Sequence, residues 1–204
     1  MDEIEGFAKL EVEPKSGDEP LHHNGRVLDT RLIDFWRWSA SDLVSNATRG
    51  IFAEYIVACA LGLSKGVRAE WDAYDLLIPS SGERPSIRIE VKSAAYLQSW
   101  FHKKLSNIIF SIRPTRSWDA TTNDMENDLK RQGDIYVFCV LHHKDKTTID
   151  PLNLEQWDFY ILSASILNEQ FPTQKSISLS SLLKLNPCQA KFEEITACIQ
   201  KLSP

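Results

Sequence analysis

The chain has 204 residues, 43% of them hydrophobic, with 23 Lys+Arg against 28 Asp+Glu and a formal net charge of −5. This is enough apolar material for one generous domain, and the net charge weighs against a protein that coats nucleic acid. The longest apolar run, "IFAEYIVACALGL", falls short of the ~20 residues of a membrane-spanning helix.

The charge is unevenly spread. Residues 1–48 hold 5 basic and 10 acidic side chains, residues 49–131 hold 12 and 10, and residues 132–204 hold 6 and 8. The middle of the chain is therefore its basic part, where a phosphate backbone is best met. The acidic start "MDEIEGF" is unlike a secretion signal, so a soluble, cytoplasmic protein is expected. Cys59, Cys139, Cys188 and Cys198 lack metal-ligand spacing and are expected to be free thiols; Cys59 and Cys139 lie inside apolar runs and read as core.

Residues 1–30 are rich in Pro, Gly and charge and read as loop or edge structure. The stretch "SASDLVSNATRGIFAEYIVACALGL" reads as one helix, capped by Ser39 or Ser41 and stopped near Gly62. Its second half is apolar almost all round, yet Glu54 stands in the middle and must be paired, neutralised or turned to a polar site. Arg49 is one available partner. A short strand at "GVRAEW", a strand at "AYDLLIP", the turn "SSGER" and the strand "SIRIEVKS" follow.

In that last strand Ile87, Ile89 and Val91 alternate with Arg88, Glu90 and Lys92, as in a strand buried on one face. The stretch "AAYLQSWFHKKL" fits helix or extended chain, "NIIFSIRP" a strand, and "DATTNDMENDLKRQG" mostly helix. "DIYVFCVLHH" and "WDFYILSA" read as buried strands, and "CQAKFEEITACIQKL" as a helix with Phe192, Ile195, Ile199 and Leu202 on one face. With no internal repeat or long linker, residues 1–204 form a single domain.

If "AYDLLIP" and "SIRIEVKS" pair symmetrically about Gly82 and Glu83, Asp75 faces Glu90. Like charges directly opposite one another destabilise an antiparallel pair, and a hard divalent cation between the carboxylates would compensate. Lys92 shares the face of Glu90, and Glu54 is able to join the same site from its helix. Asp72 is the fallback for Asp75, although at three residues' distance it points to the other face. A solvated strand face crossed by ion pairs accounts for "IRIEVKS" alone.

A helical Glu54, then Asp75 opening a strand, then "EVK" at Glu90–Lys92 resembles the PD-(D/E)XK nuclease superfamily, with Tyr74 standing where the name has Pro. The resemblance covers residues 41–113. It implies an α/β, restriction-endonuclease-like fold with a mixed central β-sheet flanked by helices, which residues 114–204 complete. It further implies phosphodiester hydrolysis, foremost of DNA with RNA left open, using Mg²⁺ (or Mn²⁺) held by Asp75, Glu90 and the Val91 backbone carbonyl. Glu54 would hold water or a second ion, and Lys92 would orient the attacking water.

Gln98 in "LQSW" is similar to an auxiliary Gln of some branches, provided its segment is helical. Lys103, Lys104, Arg113 and Arg116 follow closely enough to contact phosphates, and Trp100, Phe101, Trp118 and Trp157 are candidates either for base stacking or for the core. The histidine pairs 22/23 and 142/143 read as solvated or strand-end residues. The C-terminal third is left to supply specificity or a homodimer surface. The competing classes are a binding module without catalysis and a metabolic enzyme with a carboxylate metal site.

Overall fold

A computed structural model describes residues 9–70, 72–118 and 122–203. The chain opens with a hairpin, β1 (Pro20–His23) and β2 (Arg26–Arg31), turned at Asn24 and Gly25, both at positive φ. Asn-Gly is the pair that a two-residue hairpin turn favours. Helix α1 (Leu32–Ala40) follows and buries none of its residues.

Helix α2 (Asn46–Leu61) begins at Ser45 and ends at Gly62, whose φ of 70° closes the helix in the left-handed conformation. The helix expected to start at Ser39 or Ser41 thus begins only at Asn46; Ser39 and Ala40 end α1, and residues 41–45 form the turn between the two helices. Between them the Asp42 carboxylate accepts the N–H groups of Val44 and Ser45, both at 3.1 Å. This local side-chain bonding offers the backbone an alternative to helix.

The central sheet has the order β3 (Leu76–Ile78), β4 (Ile87–Ala95), β6 (Ile135–Leu141), β7 (Trp157–Ser163), β9 (Cys188–Ala190), with β5 (Ile109–Ser111) lying outside it. β4 and β6 run parallel and the other neighbours antiparallel, so the sheet is mixed. β6 is buried along its whole length because it is covered on both faces. Ile135, Val137, Cys139 and Leu141 join one core cluster, which contains α2 residues and residues of α5 (Ile195–Leu202). Tyr136, Phe138 and Val140 join a second cluster with Phe110 of β5 and Leu167 of α3 (Ala164–Gln170). β8 (Ser176–Ser178), which leads into α4 (Leu179–Leu183), pairs with β5 in a separate ribbon.

β4 lies at the boundary between covered and open sheet. Ile87, Ile89 and Val91 belong to the first cluster and Ala94 to the second, while on the other face Arg88 is about half-exposed and Glu90 and Lys92 are mostly but not fully buried. The expected mixed sheet flanked by helices is therefore present.

Three other expectations need correction. Residues 66–70 of "GVRAEW" form no strand, and Trp71 lies outside the described residues. The expected helix at "DATTNDMENDLKRQG" is absent from residues 122–133; two isolated bridges, Thr115 to Lys130 and Trp118 to Met125, hold an irregular ribbon instead, and Asp119–Thr121 lie outside the described residues. "CQAKFEEITACIQKL" begins as β9 and becomes α5 only at Ile195, although Ile195 and Ile199 face the core as expected.

Cys139 is a buried free thiol, whereas Cys188 and Cys198 are joined in a disulfide, contrary to the free-thiol expectation. Their Cα atoms lie 5.9 Å apart because β9 and α5 pack together, a separation that such a bond can bridge. No described helix is long and apolar enough to cross a membrane.

Candidate active site

The antiparallel pairing of β3 with β4 matches Leu76 to Ile89, Leu77 to Arg88 and Ile78 to Ile87. The register read from the symmetric turn is the observed one, and it brings Asp75 to Glu90 at the head of β3. The Asp75 N–H donates to the Ile89 carbonyl at 3.0 Å, and the Asp75 carboxylate accepts the Val91 N–H at 2.7 Å. Asp75 thereby caps the ladder where β3 has not yet begun. In a strand the N–H and C=O of one residue point to the same side, so the Val91 carbonyl faces this same edge.

Lys92 closes the group. Its Nζ binds Glu90 Oε1 and lies 3.9 Å from Asp75 Oδ2. All three side chains are mostly buried, which makes their charges matter more than on an open surface. Burial pushes the Asp75 carboxyl up to about 6; Lys92 and the Val91 N–H oppose this rise, while the carboxylates of Glu90 and Glu54 add to it. Behind Glu90, in register on β6, lies Tyr136, whose phenol is pushed well up by burial and by the Glu90 charge.

The third charged residue of the strand has a different task. Arg88 forms a bidentate pair with Asp134, Nε to Oδ2 at 3.0 Å and Nη2 to Oδ1 at 2.6 Å; the Asp134 N–H donates to the Arg88 carbonyl at 2.8 Å, and the Arg88 N–H donates to Asp134 Oδ2 at 2.9 Å. Arg88 thus fastens β4 to the start of β6.

Gly133 lies against the back of Glu90. A Cβ built on Gly133 meets Glu90 Cβ at 2.9 Å and the Glu90 nitrogen at 3.2 Å, so only glycine permits this approach. Gly133→Ala is expected to cost about 1–3 kcal/mol of stability by overpacking. Thermal melts check this; an unchanged melt would remove Gly133 from the framework that holds Glu90.

Glu54 is paired, but not with Arg49. Its carboxylate accepts from Arg68 Nε and, at 3.1 Å, from Arg68 Nη2. Arg49 is buried and donates instead to the Val44 carbonyl and the Asn46 side chain, both at 2.7 Å. Glu54 still lies close enough for its charge to raise the Asp75 carboxyl.

Gln98 is not on a helix and does not face the acidic pair. It is buried in the loop after β4, where its amide donates to Ser106 Oγ at 3.1 Å and weakly to the Ala95 carbonyl at 3.4 Å. Its place is structural because β4 runs on to Ala95 and the chain then becomes irregular.

Two cavities meet at Asp75. One, of about 620 Å³, is lined by Asp72, Tyr74, Asp75, Glu90, Arg116 and Trp118 among others. Of the four basic residues expected to contact phosphate, only Arg116 lines it. Lys103, Lys104 and Arg113 are exposed and line neither cavity. Trp118 is half-buried at the cleft, Trp157 is core, and Trp100 and Phe101 are exposed. The second cavity, of about 400 Å³, opens between α2 and β3 and contains Glu54, Arg68, Asp72, Tyr74 and Asp75.

Asp72 lines both cavities, with Lys9 at 4.0 Å from its carboxylate. His142 binds the Glu155 carbonyl and His143 the Thr148 hydroxyl, in keeping with strand-end residues. Arg68 and Gly133 were not singled out from the sequence: Arg68 sits in a stretch that reads as strand, and a lone Gly signals no particular neighbour.

Among the described residues no three His, Cys, Asp or Glu side chains form a metal cage. The donor set at hand is Asp75, Glu90 and the Val91 carbonyl. These are hard oxygens of the kind Mg²⁺ takes when it retains water and shares its coordination with a phosphate. The group fits such an ion.

No curated protein sequence matches the chain. Among solved structures, the bacterial homing endonuclease I-Ssp6803I is similar over 66% of this chain and 78% of its own, at 19% identity and a TM-score of 0.34. The family model described as bacteriophage T4 endonuclease IV matches residues 29–181, a span holding Glu54, Asp75, Glu90, Lys92 and Arg116, and the chain belongs to that endonuclease family.

Proposed function

We propose that the protein is a divalent-metal-dependent DNA endonuclease of the PD-(D/E)XK kind, reacting at Asp75, Glu90 and Lys92. The observation that carries this reading is the convergence of two carboxylates and one ammonium at the open end of β4. Asp75, Glu90 and the Val91 carbonyl would hold Mg²⁺, or Mn²⁺ in its place. Bound there, the ion supplies Lewis-acid polarisation of the phosphate and lowers the pKa of water.

The protein's own contribution is positional and electrostatic. The Val91 N–H fixes the Asp75 carboxylate, and Gly133 lets Glu90 sit tight against the chain that enters β6. Lys92 Nζ donates to the attacking water and to the charge that builds on the phosphate oxygens. Arg116, across the cleft, contributes a second cation for the phosphate backbone, and Trp118 a face on which a base can stack.

The test is incubation with linear, supercoiled, single-stranded and branched DNA and with RNA, in Mg²⁺, Mn²⁺ or EDTA. Cleavage of DNA within the chain, present with either ion and absent in EDTA, is the expected result. Nucleic-acid binding without cleavage under every condition would replace the nuclease with a binding module. Metal binding without either would favour other carboxylate-metal chemistry.

A further inference from the structure

We infer that Arg68 is a phosphate-binding residue of this site and that Glu54 serves as its orienting partner rather than as a metal ligand. The inference rests on the reading of Asp75 and Glu90 as a nuclease centre and deepens it. The cavity between α2 and β3 and the cleft containing Glu90 share Asp72, Tyr74 and Asp75. A nucleic-acid strand passing from one to the other crosses Asp75. Arg116 lines the cleft on one side of that crossing, and Arg68 is the basic residue of the cavity on the other.

The geometry of the pair suits this task. The Glu54 side chain is 14% exposed and that of Arg68 39%, so the carboxylate is sunk and the guanidinium stands outward. Glu54 takes Nε and one N–H of Nη2, which leaves both hydrogens of Nη1 and the second of Nη2 for another acceptor. A phosphate is therefore able to bind Arg68 without breaking the pair, and the planar fork held by Glu54 is already oriented for it. Ile51 and Tyr55, both about half-exposed, give the same cavity an apolar wall for the sugar or base beyond the phosphate. A carboxylate engaged at both oxygens by an arginine is poorly placed to hold an ion, which is why Glu54 is reassigned.

The experiment is a double-mutant cycle in fluorescence anisotropy, with labelled duplex and single-stranded oligonucleotides in EDTA so that metal plays no part. Arg37→Ala, on exposed α1, controls for the loss of one surface cation. Arg68→Ala should weaken binding on the order of tenfold and lower the salt slope by about one unit, and Arg68→Lys should restore part of the loss. Glu54→Ala should weaken binding similarly, and the Glu54→Ala/Arg68→Ala double variant should bind no worse than Arg68→Ala alone. Thermal melts confirm that each variant is folded.

Arg68→Ala binding no worse than Arg37→Ala would overturn the assignment. So would a Glu54→Gln protein that keeps wild-type affinity in EDTA yet needs several times more Mg²⁺ for cleavage, since Glu54 would then belong to the ion. A wild-type protein that neither binds nor cuts nucleic acid would instead overturn the nuclease reading, and this inference with it.

Discussion

Replacing Asp75 by Asn is expected to stabilise the protein at pH 8 while removing its cleavage activity. The Asp75 carboxyl titrates near 6 in the folded chain, chiefly because burial disfavours its charge, against 3.8 for a free side chain. The native state therefore binds this proton more tightly than the unfolded state does. The contribution to stability is fully present below pH 3.8, is lost as pH rises through 6, and remains lost above. At pH 8 the ionised Asp75 costs the fold about 3 kcal/mol.

Asn removes that cost and keeps an oxygen for the Val91 N–H. The melting temperature of Asp75→Asn in EDTA should exceed that of wild type by roughly 8 °C at pH 8, and the two curves should meet near pH 4. Cleavage should fall by on the order of a thousandfold or more, because the neutral amide no longer supplies the negative charge of the site. A gap in melting temperature that does not close on acidification would show that Asp75 is not held in a costly ionised state. Retained cleavage would remove it from the reacting centre. Stability gained where activity is lost is the behaviour of a site whose charge is kept for function.

The features legible in the sequence are those that local chemistry determines. Alternation in "SIRIEVKS" and the Gly82 turn define the β3–β4 hairpin, and the hairpin alone brings Asp75 beside Glu90 and Lys92. The all-apolar "IYVFCVL" likewise announces a strand covered on both faces. Long-range choices were not legible. Nothing near Glu54 in the sequence distinguishes Arg49, five residues back, from Arg68 beyond the helix; the choice follows from the path of the loop after Gly62. The polar "NDMENDLK" has helix-compatible composition, yet Lys130 bridges back to Thr115 and Met125 to Trp118, and that tertiary pairing overrides propensity. Two local signals were available but unread: Asn24-Gly25, which marks the β1–β2 turn, and Asp42, whose carboxylate separates α1 from α2. The disulfide follows from the packing of β9 on α5, which cysteine spacing does not encode.

Lys92→Met is expected to lose cleavage as completely as Asp75→Asn does, but with the opposite effect on stability. In the resting protein Lys92 neutralises the Glu90 and Asp75 carboxylates at once, and its removal leaves two mostly buried like charges unpaired. A loss of about 2–3 kcal/mol at pH 8 in EDTA should follow. Lys92 is also what holds the Asp75 carboxyl down against burial, so without it that carboxyl moves further up. The variant's deficit should therefore widen as pH rises through 6 and narrow below it, the sign that linkage requires.

Two further outcomes separate the ammonium's roles. Because a divalent ion is able to replace the lost charge between the carboxylates, millimolar Mg²⁺ should raise the melting temperature of Lys92→Met more than that of wild type. It should do little for the Asp75→Asn/Lys92→Met double variant. No such difference in Mg²⁺ response would argue against Asp75 and Glu90 as the ion's ligands. Cleavage by Lys92→Met within tenfold of wild type would argue against Lys92 as the residue that directs water and phosphate. On the proposed reading Lys92 is both the counter-ion that lets the two carboxylates stand together and the donor for an incoming phosphate, and the melt and the cleavage rate measure the two roles independently.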